Sequence, residues 1–275
     1  MANAMVFSRN HKIKVALLKV SDRITRLCQA GNGIAPPDYM QVQYGGGSFF
    51  EIGLQFFRIL LDHTEVKRDS AILDVGCGIG RMAMPFTAYL TADGRYEGFD
   101  IMPDGIGHCQ RRITPSFPVF RFQVADVFNS FYNPAGKQKP EAFRFPYDDA
   151  SFDVVFSTSV FTHLPPAAVA QYLRETARVL KPGGRCLHTC FSLNDESLAG
   201  IREGRAAGGI AHQMDGFMTS DPNNIEDAIA IPEDDFARMY AAAGLEGFTL
   251  HRGSWSGRAG RSLTYQDVAT ATKPA

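Results

Sequence analysis

Short runs of apolar and β-branched residues recur along this chain between longer stretches whose apolar positions fall three or four apart. From residue 71 onward the two patterns alternate, which predicts parallel strands joined by crossover helices. Residues 71–75, 95–100, 119–127, 152–157 and 185–191 read as five strands. Between them, residues 80–90, 103–112 and 166–180 read as helices. In the last, Ala170, Leu173, Ala177 and Leu180 keep near-helical spacing, and Lys181-Pro182-Gly183-Gly184 ends it.

A helix is also predicted over 49–61, ahead of the first strand, and another over 232–243, begun among acidic residues that complement the positive end of its dipole. Two late runs, 247–252 and 262–270, flank a Gly/Ser/Arg turn and predict a terminal antiparallel hairpin. Residues 192–231 break the rhythm with glycine-rich and polar stretches. They read as a long irregular insertion, a feature that is usually functional.

Composition narrows the picture. With 275 residues and 45% hydrophobic content the chain can bury a sizeable core, as one large α/β domain with an elaboration. Its 28 basic and 29 acidic residues leave a formal charge of −1, no field with which to hold extended nucleic acid. Five scattered cysteines without a CxxC pair fit a reducing compartment, hence a cytoplasmic location. The apolar run at 15–20 is broken by Lys19 and falls far short of the roughly 20 residues that span a bilayer, so no transmembrane segment is expected. The basic segment 8–26 suits either a transit peptide or a helix capping an active site, and the helix is the preferred reading.

The chemistry starts at Asp74-Val75-Gly76-Cys77-Gly78-Ile79-Gly80, where the first strand gives way to a helix. Glycines there let the turn take unusual dihedrals and let its backbone approach a ligand, and the helix amides beyond favour a carboxylate. A dinucleotide fingerprint would need its third glycine where this chain has Arg81. Asp100 ends the second strand, where its two oxygens can take a ribose diol or cap the next helix. Asp126 closes the third in the same way, able to accept from an exocyclic adenine amine or simply to begin a turn, with Val127 and Ile101 offering apolar surface to a ring. Ligands in open α/β sheets lie outside the carboxyl ends of the strands, so the three carboxylates converge.

ILDVGCGIGR, YEGFD, QVADV, SFDVVFSTSVFTHL and VLKPGGRCLH, in that order over residues 70–191, resemble the successive motifs of the class I S-adenosylmethionine (SAM)-dependent methyltransferase family. The resemblance implies a Rossmann-like, doubly wound seven-stranded sheet with a reversed C-terminal β-hairpin, and SAM as cofactor. It implies that Asp74, Gly76 and Gly78, with Cys77 and Gly80 in the same turn, hold the methionine end, Asp100 the ribose, and Asp126, Val127 and Ile101 the adenine, with Ser157 beside the methionine moiety. Residues 1–48 then form an N-terminal helix and flap, and 49–275 the methyltransferase domain with its acceptor-side insertion at 192–231.

The acceptor lies outside the recognisable motifs. After the fourth strand stands Ser157-Thr158-Ser159-Val160-Phe161 rather than an Asn/Asp-Pro-Pro-aromatic signature, which points to a small molecule, methylated on a hydroxyl. His163 is the candidate general base, because imidazole titrates near neutrality; its alternative is a loop histidine packed on Phe161. His188 reads as a core residue. Tyr44 and Phe50, around the glycine-rich flap, and His212 and Phe217, in the insertion, are candidate acceptor-pocket residues, and Met214 and Met218 are available beside them. No metal-ligand spacing is present, so no metal is expected. An NAD(P)-dependent oxidoreductase and a non-catalytic SAM-binding scaffold are the alternatives, and monomer or homodimer is left open.

Overall fold

The computed structural model describes residues 34–275. The predicted basic helix at 8–26 lies outside them. The chain opens with helices α1 (Asp38–Gln43) and α2 (Phe49–Thr64), the second capped by Ser48, whose hydroxyl accepts from Glu51 N at 3.2 Å. Seven strands then form the main sheet: β1 (Ala71–Val75), β2 (Arg95–Asp100), β3 (Phe120–Val124), β4 (Phe152–Ser157), β5 (Leu180–Cys190) and, after four short strands and two helices, β10 (Glu246–His251) and β11 (Asp267–Thr272). Their order is β10-β11-β5-β4-β1-β2-β3. β1 to β5 pair in parallel, while β11 runs antiparallel to both β5 and β10. It matches the parallel strands and terminal antiparallel hairpin that the pattern predicts, and the Rossmann-like seven-stranded sheet that the resemblance implies. The interior strand β1 is buried on both faces, as Ile72, Leu73 and Val75 require.

One sheet face packs Ile72, Phe86, Tyr96, Phe120 and Phe156 beneath α2, α3 (Ala83–Phe86) and α4 (Pro103–Arg112). The other packs Leu73, Phe99, Val155 and Ala269 beneath α5 (Pro166–Val179) and α7 (Glu233–Ala242). Burial of these aliphatic and aromatic side chains, about 1.5–3 kcal/mol each, is what holds the layers together.

Several elements differ from the sequence pattern. The helix expected over 80–90 shrinks to one turn, α3, because Gly80 takes φ +76° and Pro85 has no amide to continue the ladder. β3 stops at Val124, so Asp126 lies past its end. Lys181-Pro182-Gly183-Gly184 is an irregularity within β5, not a stop before it, and the final strand begins at Asp267, five residues later than read.

The insertion is folded rather than irregular. Strands β6 (Ser192–Leu193), β7 (His212–Gln213), β8 (Met218–Thr219) and β9 (Ile229–Pro232) make a second sheet, in the order β6-β9-β8-β7, beside helix α6 (Asp195–Arg202). Asn194 and Ser197 form a reciprocal capping box for α6. Phe191, Leu193, Met218, Ala230 and Trp255 supply its apolar cluster. Asp267 ties it to the main sheet: buried completely, its carboxylate accepts from Ser192 N (2.7 Å), Ser192 Oγ (2.7 Å), Gly253 N (2.5 Å) and Trp255 Nε1 (2.8 Å).

Candidate active site

The carboxyl ends of β1, β2 and β4 open into a cavity of about 590 Å³, where the strand order departs from either side of β1. Gly76, Gly78 and Gly80 all take positive φ, at +76°, +54° and +76°. A Cβ at Gly76 would meet Val160 Cγ2 at 2.4 Å, and one at Gly78 would meet the Tyr44 ring at 3.0 Å. The loop therefore presents bare backbone to the cavity. Gly76 N and Cys77 N both donate to Phe99 O, at 2.8 and 3.0 Å, and fix it to the end of β2.

Asp100 joins that loop from β2. Its Oδ2 accepts from Gly78 N and its Oδ1 from Met102 N, each at 2.8 Å. Each oxygen keeps acceptor capacity after one backbone bond. Burial pushes this carboxyl up to about 6, against the lowering effect of those amides. The helix N-cap is Met102, so Asp100 braces the turn rather than capping α4 directly. Asp74 is wholly buried beneath the loop; burial raises it to about 7, the Tyr96 hydroxyl donates to its Oδ2 at 2.7 Å, and its Oδ1 has no partner among the described residues.

The flap closes the cavity from above. Tyr44 Oη donates to Asp104 Oδ1 (2.6 Å) and accepts from Gly105 N (2.8 Å), spanning from α1 to α4. Gly45, Gly46 and Gly47 follow with φ of +86°, +69° and +74°, and Arg81 donates to Gly46 O at 2.8 Å.

His163 lies on the cavity wall, in a one-turn 3-10 helix after β4. Its Nδ1 is 2.9 Å from Glu226 O. A carbonyl only accepts, so in the neutral ring the proton sits on Nδ1 and the Nε2 lone pair is left as the acceptor. Burial lowers the pKa of this imidazole below its ordinary 6.5, so it is neutral at pH 7. Tyr132 packs edge-on against it at 5.2 Å. Glu226 is in turn clamped: its carboxylate accepts from Ser130 N and, at 2.5 Å, from Ser130 Oγ.

The cavity thus gathers Gly76, Cys77, Gly78, Asp100, Ile101, Val127, His163 and Tyr44 from the residues singled out by sequence. Others lie elsewhere. Gly80 is packed against Ile113 and Cys109 behind the loop. The Asp126 side chain is half exposed, 3.6 Å from Lys137 Nζ, and accepts from Lys137 N, which suits a turn better than a buried ring contact. Ser157 is buried, with its Oγ 2.8 Å from His188 Nδ1, and His188 is a core residue stacked on Phe161, its pKa held down at about 3 by burial. The acceptor-pocket reading needs correction at three positions: Phe50 projects from the exposed face of α2, His212 is exposed in β7, and Phe217 packs in the core.

Sequence reasoning missed Arg81, Tyr132, Glu226 and Gln266. Tyr132, Arg81 and Gln266 line the cavity, and Gln266 Oε1 accepts from Thr189 Oγ1 (2.6 Å) and Ser159 Oγ (3.2 Å). Ser159 sits at φ +58°, a strained position for a non-glycine residue, held by its amide bond to Thr189 Oγ1. Only Arg81, directly after the last loop glycine, carried a signal.

A glycine loop and a strand-end carboxylate at the switch point of a seven-stranded sheet with a reversed hairpin define a Rossmann-like nucleotide-type ligand site. Residues 73–188 match the family described as "Methyltransferase domain". This segment, which carries the glycine loop and Asp100, is similar to the methyltransferase domain of class I SAM-dependent enzymes, a family whose cofactor is SAM. The loop cradle that side chains would fill and the spare acceptor capacity of Asp100 both fit this ligand.

Among similar proteins, the chloroplastic tocopherol O-methyltransferase of Arabidopsis thaliana is 30% identical over 149 residues, 52% of this chain and 37% of that protein. The fatty-acid O-methyltransferase of Mycolicibacterium smegmatis is 33% identical over 120 residues, 43% of this chain and 36% of that one. The matches span from 32% to 45% of the curated relatives' own length. A SAM-dependent methyltransferase structure from Methanosarcina mazei is 18% identical with a TM-score of 0.50, covering 78% of this chain and 97% of that one, a likeness of fold.

Proposed function

We propose that this protein transfers the methyl group of SAM to a hydroxyl of a small-molecule acceptor, with His163 taking the proton. The observation that carries the reading is one cavity with the glycine loop and Asp100 on one wall and a neutral, tautomer-fixed His163 on another. SAM supplies a methyl already activated on a cationic sulfonium. The protein's work is then to hold donor and acceptor in line at about 3–3.5 Å, exclude water and accept one proton.

In this reading Gly76, Cys77 and Gly78 cradle the methionine end, Asp100 accepts from the ribose hydroxyls, and Ile101 and Val127 pack on the adenine. Asp74 shapes the loop from beneath, and Gly80 and Ser157 act as packing residues. Asp126 stands at the edge of the adenine end. Tyr44 bounds the flap side. Residues 49–275 act as the catalytic domain, with 192–231 as an insertion whose contribution to the site is the Glu226 carbonyl rather than His212 or Phe217. Two relatives are named as O-methyltransferases, which agrees with an oxygen acceptor.

The test is a screen of hydroxylated small molecules for S-adenosylhomocysteine release, followed by pH profiles of wild type and His163→Gln on the best acceptor. Turnover rising through a pKa below 6.5 in wild type, and loss of that limb in the variant, is the expected result. An unchanged profile in His163→Gln would remove the base.

A further inference from the structure

Arg81 is a cation in search of an anion. Its side chain lines the cavity, its neighbours exclude water enough to lower its pKa by burial, and no charge on the described residues offsets that burial. One of its five N–H donors is spent, on the Gly46 carbonyl at 2.8 Å. A half-buried guanidinium loses hydration that a carboxylate would restore through charge-assisted, bidentate hydrogen bonds, so an anion entering the cavity has a ready partner here.

Its neighbours belong to the glycine-loop side of the cavity. Arg81 follows Gly80 directly, its side chain reaches the flap at Gly46, and the flap's Tyr44 ring lies 3.0 Å from where a Cβ of Gly78 would be. The amide donors that the sequence pattern offers to a carboxylate here are diminished: α3 is a single turn of four residues, and Met84 N is already committed to Gly80 O. A carboxylate arriving beside this loop needs another donor, and the cofactor's methionine tail carries such a carboxylate.

We propose that Arg81 ion-pairs with the methionine carboxylate of the cofactor and, through Gly46, couples that contact to seating of the Gly45-Gly46-Gly47 flap. The inference rests on the reading of SAM in this cavity. Three consecutive glycines at positive φ give the flap a backbone that no other residue type would adopt cheaply, so its closed position depends on the few bonds that hold it. Arg81 is one of these, and a carboxylate that fixes the guanidinium fixes the flap as well.

The test is calorimetric titration of the whole chain, wild type and Arg81→Met, with S-adenosylhomocysteine and with 5′-methylthioadenosine, which lacks the amino-acid tail. Arg81→Met is expected to weaken S-adenosylhomocysteine about 10- to 100-fold and leave methylthioadenosine unchanged, the second ligand also reporting that the variant is folded. Arg81→Lys should recover part of the loss. Hydrogen exchange supplies the coupling: S-adenosylhomocysteine slows exchange at residues 45–48 in wild type, and methylthioadenosine does not. Equal losses for both ligands, or none for either, would overturn the ion pair. Flap protection by methylthioadenosine would overturn the coupling. A wild-type protein that bound neither ligand would instead bring down the cofactor reading, and this proposal with it.

Discussion

The two walls of the cavity are built in different ways. The cofactor wall is local: Gly76 to Gly80 is one continuous loop after β1, and Asp100 reaches it from the adjacent strand through one backbone bond, from Gly78 N. The wall proposed to face the acceptor is assembled from afar. His163 depends on Glu226, 63 residues on, and Glu226 depends on Ser130, 96 residues back. A local wall is robust to change elsewhere in the chain, whereas the distant one inherits every fault in the insertion that carries Glu226.

The comparison breaks most visibly at His163. His163→Gln should lower the turnover number about 10²- to 10⁴-fold while S-adenosylhomocysteine affinity stays within about twofold, measured by steady-state kinetics beside calorimetry. Equal losses in both would mean that the two walls are not separable.

The next largest effect is at Asp267. Removing its carboxylate in Asp267→Ala strands four buried or partly buried donors and should cost about 3–5 kcal/mol, read from urea unfolding. The loss should fall first on the insertion, as faster hydrogen exchange in 192–232 than in 71–100. Uniform acceleration would show that both regions share one cooperative unit.

A smaller effect sharpens the cofactor wall alone. Asp100 is lifted to about 6 by burial, and the proposed contact with ribose hydroxyls calls for its ionised form. S-Adenosylhomocysteine affinity should therefore be highest above pH 7 and fall as pH drops through 6. The folding linkage has the opposite sense: Asp74 and Asp100 hold their protons more tightly folded than unfolded. In the ligand-free protein the stability they contribute is present below about pH 4 and is lost as pH rises through 6 to 7. The smallest effect is Tyr44→Phe, which gives up the bonds to Asp104 and Gly105 at the flap and should cost about 1 kcal/mol of stability in thermal melts.

How far the sequence could be read follows the same division. The strands of the sheet are legible because most are short apolar runs with turn signals nearby, and the glycine loop is legible because positive φ demands glycine at fixed spacing. The one-turn α3 was hidden, since apolar spacing over 80–90 looks helical while Pro85 acts only through a missing amide. The insertion was opaque: β7 and β8 are two residues each, too short for alternation to show. Glu226 was beyond reach, because its role lies in a backbone carbonyl that any residue carries. Phe217 and His212 looked plausible by type, yet Phe217, in the turn before β8, packs into the core and His212, in β7, faces solvent.

The central claim is that the glycine loop and Asp100 form an adenosyl site, and calorimetric titration tests it most directly. Wild type should bind SAM and S-adenosylhomocysteine at micromolar concentrations and ignore NAD, and Asp100→Ala should lose the adenosyl ligands while remaining folded. Binding of NAD alone, or adenosyl binding indifferent to Asp100, would contradict the account.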